Sequence, residues 1–217
     1  MAEQLINIKD LRQDYKSAFL LEKDAEKNPY KQFEKWFSEA IRAQVLEPNA
    51  MTLATASKNG FPSARIVLLK DFDESGFVFF TNYSSNKGQQ IAENPKAALV
   101  FFWGDLERQV RIEGDIEKIS QEESEEYFHS RPKGSQLGAI ASPQSQVIPN
   151  REFLEKNLED LTKTYLDKEI AKPAHWGGYK VIPQTFEFWQ GRSNRLHDRI
   201  LFSKNADGSW KIERLAP

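Results

Sequence analysis

The chain has no cysteine, which removes disulfides, thiolate nucleophiles, zinc–thiolate centres and iron–sulfur clusters from the possible chemistry. Its three histidines, His129, His175 and His197, do not have the spacing of metal ligands, so no metal is expected. No uncharged apolar run reaches the roughly 18 residues a membrane helix needs, and MAEQLINIKD at the start lacks a basic segment followed by an apolar one. The expectation is a cytoplasmic protein without a membrane partner. No G-x-G-x-x-G, P-loop or G-x-S-x-G occurs, which argues against a Rossmann sheet, an ordinary nucleotide loop and a nucleophile elbow. Charge of one sign is also lacking: 32 acidic and 30 basic residues leave a net −2, so nucleic acid is not an expected partner and any anion site must be local.

What is present is an ordinary globular composition of 217 residues, 39% hydrophobic and 29% charged, enough for one large core. Residues 1–28 are polar, with few apolar positions near Leu11, Tyr15, Phe19 and Leu20, and read as a mobile arm or loosely docked helix. Residues 29–217 read as a single domain. Asn28-Pro29 is an N-cap and first helical position, followed by Phe33, Trp36, Phe37, Ala40 and Ile41 at helical spacing. From Met51 the period changes to that of strands joined by Lys58-Asn59-Gly60 and Asp73-Glu74-Ser75-Gly76 turns. Helices are expected near Lys87 to Glu93, from Ser120 with its capping-box Glu123 to His129, and after Asn150 with Phe153, Leu154, Leu158, Leu161 and Tyr165 on one side. The last quarter returns to strands. Six or more short antiparallel strands with inserted helices predict a mainly β fold, a barrel or strongly curled sheet.

Four segments carry candidate chemistry. In Thr185 to Arg199, Phe186, Phe188 and Gln190 alternate with Glu187 and Trp189, Gly191 ends the strand, and Arg195, His197 and Arg199 follow at spacing two. If a strand resumes there, two guanidiniums and an imidazole share one face and repel unless an anion meets them; the alternative is a solvated edge strand. Arg65 and Lys70, five residues apart, point to opposite faces of an undistorted strand, so they are either separate edge charges or are brought together by a bulge. Thr81, Ser84, Ser85 and Lys87 at a strand-to-helix junction are the ingredients of a phosphate seat, or of a plain serine N-cap. Between helices, Tyr127, His129, Arg131, Lys133, Ser135, Gln144 and Ser145 fall in a Gly-, Pro- and Ser-rich stretch, where arginine can fork onto a phosphate or cap a helix end. Phosphate binders and flat aromatics with little acid–base machinery point to a borrowed cofactor.

At this point EFWQ, four residues and then RLHDR (Glu187 to Arg199), together with RIVLLK, YFHSRP, SQLGA, Gln144-Ser145 and the terminal WKIERLAP, resemble the pyridoxine (pyridoxamine) 5′-phosphate oxidases in the same order from about Leu11 to Pro217. The resemblance implies an antiparallel Greek-key split β-barrel, working as a homodimer with FMN at the subunit interface. It implies oxidation of pyridoxine 5′-phosphate or pyridoxamine 5′-phosphate to pyridoxal 5′-phosphate. A hydride would pass from the substrate C4′ to flavin N5, and O2 would be reduced to hydrogen peroxide. It assigns FMN to Arg65, Ile66, Val67, Leu68, Leu69, Lys70, Phe80, Thr81, Lys87, Gln109, Gln144, Ser145, Trp189 and Arg199. Substrate phosphate falls to Lys70, Tyr127, Arg131 and Ser135, the pyridine ring to Arg195 and His197 as the catalytic pair, and a lid to Arg12 and Tyr15. Two positions depart from the family pattern: Asn86 stands where an arginine is frequent, and Phe80 where a tyrosine is common.

Overall fold

Alternating burial defines the strands, and a computed structural model describes them for Asp14, Tyr15 and residues 18–217. In chain order the elements are α1 (Pro29–Arg42), β1 (Ala50–Ala56), β2 (Pro62–Leu68), β3 (Asp71–Asp73), β4 (Gly76–Asn82), α2 (Asn86–Glu93), β5 (Lys96–Trp103) and β6 (Arg108–Lys118). They continue with α3 (Gln121–Ser130), α4 (Lys133–Ala141), α5 (Arg151–Thr164), β7 (Trp176–Gln190), β8 (Asp198–Lys204) and β9 (Trp210–Arg214). The β1–β2, β1–β5, β3–β4, β4–β7 and β8–β9 pairings are all antiparallel. Among the described residues no helix is long and apolar enough to cross a membrane. The chain divides into two compact units, each taken by itself below.

The larger unit comprises Asn49–Phe101 and Arg111–Thr185. Its strands follow the order β2-β1-β5-β6-β7-β4-β3, so β4 lies beside β7, far from it in sequence. In β1, Met51, Leu53 and Thr55 turn inward; in β4, Phe77 and Phe79 do so while Phe80 takes the opposite face. Each fully buried side chain of this size contributes about 1.5–3 kcal/mol. Phe128, Leu137, Ile170 and Trp176 form a second buried cluster. The segment expected as one strand through Phe72 instead breaks after Leu68, and β3 starts afresh at Asp71. The Gly- and Ser-rich stretch after Pro132, read from the sequence only as a region between helices, contains the helix α4.

The smaller unit gathers the described residues of Met1–Pro48 with Phe102–Val110 and Phe186–Pro217. Asn28 caps α1 by accepting from the Tyr30 N–H at 2.9 Å. The helix buries Tyr30, Phe33, Trp36 and Ala40, whereas Ile41, expected on the same face, is exposed. Tyr30 meets Phe186 and Trp36 meets Phe188 edge to face, at 5.2 and 5.4 Å. Here β8 pairs with β7 and β9. The described end of the arm is not helical. It is tied down where the buried Leu20 donates its N–H to Asp198 at 3.1 Å.

Candidate active site

In the larger unit the break after Leu68 answers the question raised by Arg65 and Lys70. With the strand interrupted between them, both line one cavity of about 820 Å³, together with Lys87 and Arg131. Among the described residues no carboxylate lines it. Ile66, Val67, Leu68, Phe80, Thr81, Tyr127, Ser135 and Gln144 also contribute, whereas Leu69 is buried in the core and Ser145, exposed at φ 71°, is not in the lining.

Two of these cations, Arg65 and Lys87, are held by neutral groups. Arg65 donates to Thr55 Oγ1 at 2.6 Å, to the Leu53 carbonyl at 3.3 Å and to Gln90 Oε1 at 3.3 Å. Lys87 Nζ donates to Thr81 Oγ1, Ser85 Oγ and Gln144 Oε1 at 3.1–3.2 Å. Burial, and then the neighbouring Arg65, push the Lys87 pKa down, and burial does the same to Arg65. A site that makes its cations costlier to charge has room for an anion that restores them. Ser85 is fully buried and caps α2 through the Gly88 N–H at 3.4 Å, so its side chain serves as the helix cap.

Arg131 shows the same character more sharply. Its guanidinium lies 4.7 Å from the Trp176 ring centre, and its buried Nη1 has no hydrogen-bond partner among the described residues. Burial lowers its pKa too. Phe80 stacks on Tyr127 at 3.8 Å and on Trp176 at 5.4 Å, which gives the cavity a flat aromatic wall. Lys133, by contrast, turns to the Leu166 carbonyl at 2.7 Å. Trp176, Thr55 and Gln90 are site residues not expected from the sequence. The Trp-Gly-Gly opening of β7 was a usable signal for close packing, since a Cβ at Gly177 would lie 2.1 Å from the Tyr83 hydroxyl oxygen.

The smaller unit corrects the expected cationic strand face. β7 ends at Gln190 as anticipated, but Ser193–Arg195 forms a 3-10 turn with Asn194 and Arg195 at φ 58° and 62°, and β8 begins only at Asp198. Arg195 and His197 therefore precede the strand, and only Arg199 belongs to it. Nor do the three groups repel one another for want of an anion, because Arg199 donates to Glu187 at 2.8 Å and to the Ala216 carbonyl at 2.8 Å. Non-glycine residues in the left-handed region cost roughly 1–3 kcal/mol and cluster at functional sites.

His197 Nδ1 accepts the Arg192 N–H at 3.1 Å, which puts the proton of a neutral ring on Nε2. Burial, and then Arg195, hold its pKa below the ordinary value. The ring packs against Trp189 at 4.7 Å and Tyr15 at 5.9 Å, while Ser193 Oγ donates to the Tyr15 carbonyl at 3.1 Å. Gln109 is half-buried on β6 in this unit, and Arg12 lies outside the described residues. Among the described residues no cluster of carboxylates and histidines could hold a metal.

A family model described as pyridoxamine 5′-phosphate oxidase matches residues 37–165, and one described as the pyridoxine 5′-phosphate oxidase C-terminal dimerisation region matches 176–217. The chain is 58% identical over 210 residues to a pyridoxine/pyridoxamine 5′-phosphate oxidase of Trichormus variabilis, covering 97% of this chain and 98% of that protein. A Leptospira interrogans protein of the same name is 54% identical over 210 residues, with the same coverage of each chain. Among solved structures, PhzG from Burkholderia lata, in complex with tetrahydrophenazine-1-carboxylic acid, is similar with a TM-score of 0.87 at 28% identity, over 93% of this chain and 100% of that one. A pyridoxamine 5′-phosphate oxidase-related, FMN-binding protein of Nostoc punctiforme shares the fold with a TM-score of 0.70 at 19% identity, over 88% and 98%. The fold class is thus the split barrel that was expected. With a family model spanning more than half its length and such relatives along its whole course, the chain belongs to the pyridoxine/pyridoxamine 5′-phosphate oxidase family.

Proposed function

We propose that this protein is an FMN-dependent oxidase that converts pyridoxine 5′-phosphate and pyridoxamine 5′-phosphate to pyridoxal 5′-phosphate, acting as a homodimer with FMN at the subunit interface. The observation that carries this reading is the cavity lined by Arg65, Lys70, Lys87 and Arg131 with no carboxylate among them, beside the Phe80–Tyr127–Trp176 wall. The orphaned Nη1 of Arg131 fits a phosphorylated ligand, since a phosphate oxygen would complete the bond that the protein leaves unmade.

When bound, FMN would supply the two-electron acceptor for hydride loss from the substrate C4′, with dioxygen as the terminal oxidant and hydrogen peroxide as its product. The rest falls to the chain. Arg65 and Lys87, with Thr81 and Gln144, would hold the cofactor phosphate, joined by Ile66 to Lys70, Phe80, Gln109, Ser145, Trp189 and Arg199 along the rest of the cofactor. Lys70, Tyr127, Arg131 and Ser135 would hold the substrate phosphate. Arg195 and His197 would face the pyridine ring, with Tyr15 beside His197 as part of a lid. With Nδ1 occupied by the Arg192 N–H, the neutral His197 ring offers an Nε2–H donor, which suits orientation of a substrate oxygen or nitrogen better than proton abstraction at that atom.

The test is direct. Purified protein supplied with FMN should turn yellow, consume oxygen with either substrate and form the aldehyde; protein that stays colourless and inactive after FMN addition overturns the proposal.

A further inference from the structure

The buried carboxylate of Asp198 has no part in the chemistry above, yet it joins three separate segments of the smaller unit. Oδ2 accepts the Leu20 N–H at 3.1 Å and Arg192 Nη1 at 2.9 Å, and Oδ1 accepts Arg214 Nη1 at 2.8 Å. Arg214 closes the ring by donating to the Leu20 carbonyl at 3.0 Å. The Arg192 guanidinium also lies 3.6 Å from the Phe19 ring centre. The same residue, Arg192, gives its backbone N–H to His197 Nδ1. One carboxylate therefore ties the arm, the C-terminal strand and the turn that carries Arg195 and His197.

We infer that Asp198 is a positioning residue, a latch that holds the arm onto the 192–197 turn and so fixes the orientation and tautomer of His197. The strained backbone at Asn194 and Arg195 gives this turn a reason to relax once released. Two guanidiniums on one buried carboxylate make the tie strong; removing that charge takes from Arg192 the carboxylate it is paired with, while Arg214 keeps its ion pair with Glu22 and with it a weaker hold on the arm. Loss of such a charge-assisted contact corresponds to a factor of about ten to a hundred in the population of the tied state.

The inference rests on the oxidase reading only for its catalytic consequence. Asp198→Asn and, as a milder variant that keeps the Arg192 backbone N–H, Arg192→Leu would be compared with the unaltered full chain loaded with FMN. Amide exchange at Leu20 should quicken about tenfold or more, and the nitrogen shifts of His197 should lose the pattern of a single Nε2–H tautomer. Turnover of pyridoxine 5′-phosphate should fall while the FMN dissociation constant stays within about twofold, and Arg192→Leu should show the smaller change. Unchanged Leu20 exchange and His197 tautomer in a folded variant overturn the latch. So does a loss of turnover that merely tracks loss of FMN, or a released arm with full turnover. If the exchange and tautomer respond as expected but the unaltered protein oxidises neither substrate, it is the oxidase reading that fails.

Discussion

Arg131 rests on the Trp176 indole with its buried Nη1 unpartnered among the described residues, unlike Arg108, which rests on Trp36 but pairs with Glu39. Arg65 differs in being anchored by Thr55, Gln90 and a backbone carbonyl, so it is held rigidly with its charge unspent. Arg195 is exposed on a strained turn in the other unit. These surroundings predict separate roles. Arg65→Leu should weaken FMN binding about ten- to a hundredfold, measured by quenching of flavin fluorescence. Arg195→Leu should leave FMN binding within about twofold and lower turnover instead; equal loss of flavin in both variants would erase the division. Much of this was legible in the chain, because an arginine or lysine among glycines, serines and aromatics is an economical description of an anion site. What misled was the spacing of Arg195, His197 and Arg199. Period-two reasoning assumes a strand, and the positive φ of Asn194 and Arg195 cancels it. Trp176 escaped notice for a different reason, since an aromatic at the head of a strand reads as core, and it is indeed buried as well as bearing Arg131.

Elements decide where the cations can reach. The short helix α2 presents Lys87 from its first turn, and it is pinned there by the Ser85 cap and by a close approach at Gly88, where a Cβ would fall 2.1 Å from the Tyr83 carbonyl oxygen. Gly88→Ala should therefore cost about 1–3 kcal/mol, read as a lower denaturation midpoint at unchanged slope, with weaker FMN binding as Lys87 shifts. An unchanged midpoint would show that the helix can back away at no cost. The boundaries of α1, α2, α3 and α5 were legible because each announces itself with an N-cap side chain, Asn28, Ser85, Ser120 and Asn150. The helix α4 was not, because Pro132 precedes it without a capping side chain and Gly134 and Gly138 depress its helix propensity. The break between β2 and β3 carried no turn signal either, since Leu69-Lys70 looks like continuing strand.

At the scale of the molecule, each unit keeps its own chemistry. The larger holds the cationic cavity and its aromatic wall, and the smaller holds Arg195, His197 and the Asp198 ring. The segment matching the C-terminal dimerisation region, residues 176–217, begins with Trp176 and includes the Arg195–His197 turn. In the proposed homodimer, assembly and catalysis therefore draw on the same stretch of chain. The central claim is that the cavity of about 820 Å³ recognises a phosphate ester and that oxidation depends on it. Oxygen uptake by the FMN-saturated protein, recorded first with pyridoxine 5′-phosphate and then with unphosphorylated pyridoxine, tests it most directly. The account predicts steady uptake with equimolar hydrogen peroxide from the ester, and a loss of kcat/KM of about a hundredfold or more without the phosphate. No uptake from the ester, or equal rates from the two compounds, would contradict it.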